Sequence, residues 1–421
     1  MSMSCMGYKL TRRAMLGATG AGAATLLGLR VRDLVAYAGT APASAEHVIL
    51  FWNGGGMSHI DTWDPKPGRP TQGEFEPIQT SVPGITISEI FPSLAKQMHH
   101  VALIRSVAGT NGDHGRATYQ LQTSYNPMPS LTHPGLGSVV VHEREKLGDL
   151  PAYISISGQA PRAGYLGQRC EAYFIGRPGE KDPYLAFPSG IAQERGDKRL
   201  DILARVNQRF NAKLPNPKLE ATETSVKEAV ALMRSPALDA LDLDKEKPEN
   251  VVRYGENPFG RGALMARRLV ETGVRFVQIN RGGFDTHSNN FPAMRAHGDE
   301  MDPALSSLIE DLAASGMLAK TLIIMLSEFG RTPRINDNEG RDHHAACFSA
   351  MIAGGGVRGG QVIGSSDEDG YLPKDRPVEV PDLHASVCHA LGVNSAKEVM
   401  TPLQRPMKLV DGGKPVSELF A

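Results

Sequence analysis

Short apolar runs rich in β-branched residues recur at 48–52, 101–105, 153–157, 274–280, 321–327 and 349–353. None alternates apolar with polar positions, so each predicts a strand buried on both faces, as in a parallel sheet. Between the runs the period becomes helical. Leu305, Leu308, Ile309 and Leu312 fall on one face, as do Ala263, Ala266, Leu269 and Val270. This alternation predicts a doubly wound α/β sandwich. The middle of the chain differs. Residues 176–201 are rich in Pro, Gly and charge, 201–235 have a helical pattern, and 242–250 are polar. We read 158–250 as an insertion covering one end of the sheet, and 46–421 as one domain.

The N-terminus reads as an address. Thr11-Arg12-Arg13 precedes a mild apolar stretch at 14–29, and no acid appears before Asp33. Small-residue cleavage patterns follow at Ala36-Tyr37-Ala38 and Ala43-Ser44-Ala45. The pattern predicts a twin-arginine export signal over residues 1–45, hence a periplasmic or extracellular protein that needs the twin-arginine export machinery. Left uncleaved, it would tether the chain. The stretch is short and Gly-rich beside the roughly 20 apolar residues of a bilayer span, and no later segment is apolar enough. Cys5 lies in the signal and Cys170, Cys347 and Cys388 remain, an odd number in small-residue surroundings, which argues against a disulfide scaffold. Residues 1–45 hold Lys9, Arg12, Arg13, Arg30 and Arg32 against Asp33, so without them the formal net charge moves from −1 to −5. A mildly acidic body has no electrostatic footprint for nucleic acid.

Candidate chemistry sits directly after the predicted strands, where α/β folds carry their reactive groups. The first strand runs into Asn53-Gly54-Gly55-Gly56-Met57-Ser58-His59-Ile60-Asp61, without the Gly-Lys-Ser/Thr of a phosphate loop. His59 and Asp61, two apart, would point to one side of an extended segment. The second strand leads through Asp113, near a helix N-cap, to His114 and Arg116, either of which could hold a metal or an anion. Asp285-Thr286-His287 follows two glycines; a buried carboxylate there requires a pair or a ligand. Glu328 has the same context, and Arg331 could clamp a substrate oxyanion or pair with Glu328. In Asp342-His343-His344 the adjacent imidazoles point different ways, so one is expected at the metal with Asp342 orienting it. These residue types suit zinc first, with manganese, calcium or iron as alternatives. No Gly-x-Ser-x-Gly elbow is present.

Taken together, Asn-Gly-Gly-Gly-Met-Ser-His-Ile-Asp-Thr-Trp-Asp-Pro-Lys-Pro, Gly-Gly-Phe-Asp-Thr-His, Ser-Glu-Phe-Gly-Arg-Thr-Pro and Gly-Arg-Asp-His-His resemble the domain-of-unknown-function 1501 family. These are exported proteins related to sulfatases and alkaline phosphatases, and the resemblance covers about 47–393. It implies an alkaline-phosphatase-like three-layer sandwich around a mostly parallel sheet, with one or two metal ions at the strand ends and chemistry on phosphate or sulfate esters. Asp285 and His287 look like ligands of a first metal, with His343 or His344 as its distal histidine. Glu328 falls where the superfamily has an Asp, and Phe329 replaces the His that usually follows.

The other half of the motif set departs further. Gly stands where the first strand usually ends in Asp, with Asp61 the nearest substitute. His114 occupies the usual place of the Ser, Thr or modified Cys nucleophile. Thr118, one turn on, has no activating neighbour in the sequence. The expectation is therefore a metal-dependent hydrolase of phosphate or sulfate esters, sulfated or phosphorylated glycans among them, using a metal-bound water. Asp285, His287 and His344 or His343 would hold one metal. Glu328, Asp61 and His114, with His59 beside them, would share it or complete a second. Arg331 or Arg116 would bind the substrate anion. The alternative is a non-catalytic exported binding protein on the same fold.

Overall fold

The computed structural model describes residues 44–180, 185, 190–214 and 217–420. The export-signal reading of 1–45 thus lies outside the described residues as far as residue 43. Ser44 and Ala45 already belong to the compact unit Ala43–Ala421: their amides both donate to Ala390 O, at 3.0 and 2.9 Å.

The strands that matter are β1 (His47–Asn53), β2 (Val101–Ala108), β3 (Tyr153–Ile156), β4 (Tyr173–Ile175), β5 (Phe276–Arg281), β6 (Thr321–Leu326), β7 (Gly330–Arg331), β8 (His343–His344), β9 (Phe348–Gly354), β10 (Gln361–Ile363) and β11 (Val378–Glu379). The helices are α1 (His114–Thr123), α2 (Leu136–Glu143), α3 (Gln193–Lys213), α4 (Pro217–Arg234), α5 (Pro258–Glu271), α6 (Asn290–Ala314) and α7 (Val380–Ala390). Each apolar run of the sequence is a strand, and the two amphipathic patterns are α5 and α6.

The central sheet has the order β10-β2-β9-β6-β1-β5-β3-β4, with β11 also on β2. Every pairing is parallel except those of β9, which runs antiparallel to both β2 and β6. The cause is local. After β6 the chain forms the two-residue pair β7–β8, with His343 opposite Arg331. That pair carries the chain along the carboxyl edge of the sheet, so the next strand enters from that edge and must run the other way.

Alternate residues of each strand feed opposite faces. Ile49 and Phe51 of β1 join a core with Leu264 and Leu269 of α5 and Leu305 and Leu308 of α6. Val48, Leu50 and Trp52 join a second core with Val139 and Val140 of α2 and Leu383 and Val387 of α7. Two cores on one sheet make a three-layer sandwich and explain the continuous apolar runs: both faces are covered. Fully burying each such large side chain contributes about 1.5–3 kcal/mol. The 158–250 segment supplies the edge strand β4, parallel to β3, and the helices α3 and α4. Cys170, Cys347 and Cys388 are free and buried. Among the described residues no helix is long and apolar enough to cross a membrane.

Candidate metal centre

The parallel strands β1, β2, β5 and β6 end at one edge of the sheet, and the site lies just beyond it. The loop after β5 carries Asp285 and His287, the residues after β6 carry Glu328, and β8 carries His343. His114 opens α1, whose start is fixed by Asp113: its Oδ1 accepts from Arg116 N at 3.0 Å. The turn after β1 forms the floor. A Cβ on Gly55 (φ +119°) would lie 2.5 Å from Asp285 N, and one on Gly56 (φ +83°) would lie 2.6 Å from the Phe329 ring. Glycine is needed at both for the backbone to approach this closely.

Three imidazoles point at one carboxylate. His114 Nε2 is 3.3 Å from Asp285 Oδ2, and His287 Nε2 and His343 Nε2 are 3.1 and 3.2 Å from Asp285 Oδ1. Each ring is tied at its other nitrogen. His114 Nδ1 meets Glu328 Oε1 at 2.7 Å, His287 Nδ1 meets Asp342 Oδ1 at 2.7 Å, and His343 Nδ1 meets the Gly112 carbonyl at 2.8 Å. Carbonyl and carboxylate oxygens accept, so Nδ1 carries a hydrogen, which leaves Nε2 of each ring to meet Asp285 either with a second hydrogen or with a lone pair offered to a shared ion. His287 Nε2 and His343 Nε2 are 3.0 Å apart, close enough to share one hydrogen or one ion.

Three imidazole nitrogens gathered on one carboxylate suit a shared cation. His114 Nε2 gives the same indication. It is shielded from solvent and has no partner of hydrogen-bond geometry, despite its distance from Asp285. The ligand atoms of His114, Asp285 and His343 all lie within 4.8 Å of one another. An ion about 2.0–2.2 Å from each N or O ligand bridges atoms up to about 4.4 Å apart, and the 3.3 and 3.2 Å separations of His114 and His343 from Asp285 lie within that reach. Oxygen acceptors behind each imidazole are the usual outer partners of metal-bound histidine. The residues therefore fit a divalent ion held by His114, Asp285 and His343, with His287 adjacent.

Arg331 sets the charge of the centre. Its side chain is fully buried, donates to the Gly56 carbonyl at 2.9 Å and the Arg341 carbonyl at 3.1 Å, and also bonds the Gly55 carbonyl and Asp285 Oδ1. Burial pushes the Asp285 pKa up, but the Arg331 hydrogen bond and charge, with His343 and His114, outweigh it and hold the group at about 2. The carboxylate is thus ionised at any ordinary pH. The hydrogen bond from His287 does the same for Asp342, lowering its pKa against a smaller burial effect. Phe329, fully buried, walls the site, its ring centroid 4.9 Å from His114 and 4.7 Å from His343.

Several sequence expectations change. Asp285 is not buried; its side chain is 47 % exposed, as suits a ligand open to solvent. Arg331, expected as a substrate clamp, has no path to a substrate and instead positions Asp285. Glu328, expected as a ligand, lies behind His114: Oε1 accepts from His114 and from Gly55 N at 2.8 Å, while Oε2 faces Ser327 Oγ at 3.2 Å. Asp61 is outside the cluster. It forms a two-pronged buried pair with Arg341 at 2.8 and 3.0 Å and accepts from Asn290 at 2.9 Å.

Of the adjacent histidines it is His343 that reaches Asp285. Alternate residues of an extended strand face opposite ways, so His344 turns to the Tyr371 carbonyl at 2.7 Å. His59 is buried behind it, held by the Gly370 carbonyl at 2.9 Å, with its ring 6.3 Å from that of His344. Burial lowers its pKa to about 4, against the charge of Asp64, so it is neutral. Arg116 is solvent-exposed on the first turn of α1, and among the described residues it makes no side-chain hydrogen bond to the cluster. Asp342 orients His287 rather than its sequence neighbour.

Two contributors had little sequence signal. The Gly112 carbonyl is a backbone atom and has no residue type to read. Arg341 had one weak signal: it is an arginine whose nearest acid already serves a histidine, so its partner had to come from a distant segment.

The family described as "Protein of unknown function (DUF1501)" matches residues 45–420. No curated protein matches the chain. Among solved structures, Ps i-CgsB is similar at a TM-score of 0.41 and 12 % identity, over 83 % of this chain and 72 % of that one. The PsFucS1 sulfatase from Pseudoalteromonas sp. is similar at 0.38 and 14 % identity, over 86 % and 72 %. A protein in the alkaline phosphatase superfamily from Vibrio parahaemolyticus is similar at 0.33 and 11 % identity, over 84 % and 69 %. At these TM-scores the likenesses carry no argument about activity.

Proposed function

This chain belongs to the DUF1501 family, and we propose that it is a metal-dependent hydrolase of phosphate or sulfate esters, exported by the twin-arginine route to the periplasm or beyond. One observation carries the hydrolase reading: three imidazole Nε2 atoms converge on the Asp285 carboxylate at 3.1–3.3 Å, each ring fixed from behind by an oxygen acceptor. The export part rests on the Arg12-Arg13 pattern alone.

His114, Asp285 and His343 would hold one divalent ion, zinc by the chemistry of the donor set, with His287 completing it. When bound, that ion supplies Lewis-acid activation of an ester oxygen and of water. The chain's own residues do the rest. Arg331 keeps Asp285 ionised and in place, and Glu328, Asp342 and the Gly112 carbonyl set the imidazole tautomers. Phe329 and the Gly55-Gly56 turn shield the inner side from water. Arg116, on the exposed first turn of α1, is the cation available to a substrate anion. Among the described residues no Ser or Thr hydroxyl hydrogen bonds to His114, Asp285, His287 or His343, which supports water rather than a side-chain hydroxyl as the attacking group. Sulfated or phosphorylated glycans are the first substrates to try.

The test is elemental analysis of the natively produced protein, paired with a panel of phosphate monoesters, phosphate diesters and sulfate esters. About one ion per chain and turnover abolished by Asp285→Ala is the expected result. Metal-free protein, or activity surviving Asp285→Ala, rejects the reading. Bound metal and anion binding without turnover on any ester would favour a binding protein instead.

A further inference from the structure

We propose that α3 is a docking helix for an anionic lipid surface. Its outward face combines two features that rarely share a solvent-exposed stripe. Ile202, Val206 and Phe210 recur every four residues and are 62 %, 56 % and 51 % exposed. At 3.6 residues per turn, Arg195, Arg199 and Lys213 continue that stripe, and all three are exposed. Among the described residues none of the three has an acidic partner. The three acids of the helix lie off the stripe: Glu194 pairs with Lys198 at 2.8 Å, Asp197 pairs with Arg234 of α4, and Asp201 borders the cleft between α3 and α4. On that same inner side, Leu200 and Ala204 line a cleft shared with Val226 and Val230 of α4. Among its described residues α3 buries only Gly196, so the stripe is open to solvent along its whole length.

The chemistry selects one occupant. A helix that presents an apolar stripe among basic residues suits the boundary between headgroups and acyl chains, where side chains such as Ile202, Val206 and Phe210 enter and the cations meet anionic headgroups. A second copy of the chain fits badly. Antiparallel pairing of two α3 stripes sets Arg195 and Arg199 against Lys213, and parallel pairing sets each base against itself. A soluble polyanion would satisfy the bases but leave the apolar residues in water. Contact through α3 is peripheral and needs no membrane-crossing helix. It is also independent of the metal centre.

The experiment is co-sedimentation of the full chain with vesicles of phosphatidylcholine, with and without phosphatidylglycerol. The comparison chains are Val206→Asp/Phe210→Asp and, separately, Arg199→Glu/Lys213→Glu. All carry the same N-terminus, so a difference between them reports α3. The substituted side chains are exposed, and an unchanged urea unfolding midpoint checks that the fold is kept. Wild type should bind anionic vesicles at least about tenfold better than either double variant, and the advantage should shrink at high salt. Equal binding by wild type and variants, or no vesicle binding by wild type, overturns the proposal. So does a concentration-dependent dimer of wild type that Val206→Asp/Phe210→Asp makes monomeric, or binding of a soluble sulfated polymer that Arg199→Glu/Lys213→Glu weakens as much as it weakens vesicle binding.

Discussion

The Nε2 atoms of His287 and His343 stand 3.0 Å apart, and each ring is anchored through its Nδ1 to an oxygen that can only accept. Two imidazole nitrogens at this distance share a hydrogen or a cation, and the convergence of Asp285 and His114 on the same point favours a metal ion. His343→Ala should therefore remove the bound ion, whereas His344→Ala, one residue on, should leave it in place, because His344 is turned to the Tyr371 carbonyl. Elemental analysis of the two purified variants decides the point. Loss of metal from both, or from His344→Ala alone, would show that the strand faces have been misassigned.

Glu328 acts on the ion through His114. Truncation to Ala frees His114 Nδ1 and leaves Gly55 N unpaired, and should weaken metal affinity about 10–100-fold, the usual effect of losing an outer partner. Glu328→Gln should do less, because its amide oxygen still accepts from His114. Competition with a chelator gives both affinities. Equal, complete loss of metal in the two variants would instead make Glu328 a direct ligand.

Arg331 is a fixed internal cation. Arg331→Met removes the donors to the carbonyls of Gly55, Gly56 and Arg341. At about 1–3 kcal/mol for each buried acceptor left unpaired, denaturant unfolding should record a loss of about 3 kcal/mol or more. The Asp285 pKa should rise from about 2 towards the ordinary carboxylate range, which a carboxylate NMR titration can follow. A variant as stable as wild type would contradict this role.

The Asp61–Arg341 pair holds the segment before β8 against the turn after β1. Both side chains are wholly buried, and Asp61→Asn leaves the Arg341 charge uncompensated, at a cost of about 3–5 kcal/mol. The folded fraction should nevertheless keep its metal, since Asp61 is no ligand. A stable Asp61→Asn protein without metal would reverse that conclusion.

Acid should destabilise the fold before Asp285, held at about 2, is protonated. Burial holds His59 and His384 at about 4, well below 6.5, so between those values the unfolded chain binds more protons than the folded one. Stability from these groups is complete above about pH 6.5 and declines as pH falls towards 4, by up to about 3 kcal/mol for each histidine. Urea midpoints measured across that window should follow the decline, with a shallower slope in His384→Gln. An unchanged slope would remove His384 from the account.

The fold was largely legible because buried strands and amphipathic helices are recorded one residue at a time. The runs at 48–52 and 321–327 are apolar throughout since both faces of β1 and β6 are covered, and no distant information is needed to see it. The direction of β9 was not legible. It depends on the β7–β8 pair, whose four residues carry no pattern of their own.

The site divides in the same way. Asp285, His287, His343 and His114 were all named from residue type and position after a strand, because ligand chemistry is intrinsic to the side chain. Their ranks were not. Glu328 reads as a ligand until His114 is found between it and Asp285, and Asp61 does so until Arg341 occupies both its oxygens. Arg331 reads as a substrate clamp until its burial is known. Residue types and their order along the chain were enough to say which groups could bind a cation and which edge of the sheet would bear them. Which lone pairs meet was settled in three dimensions alone, since hydrogen bonds between residues more than two hundred positions apart, such as His114 to Glu328 and Asp61 to Arg341, depend on packing that no local pattern encodes.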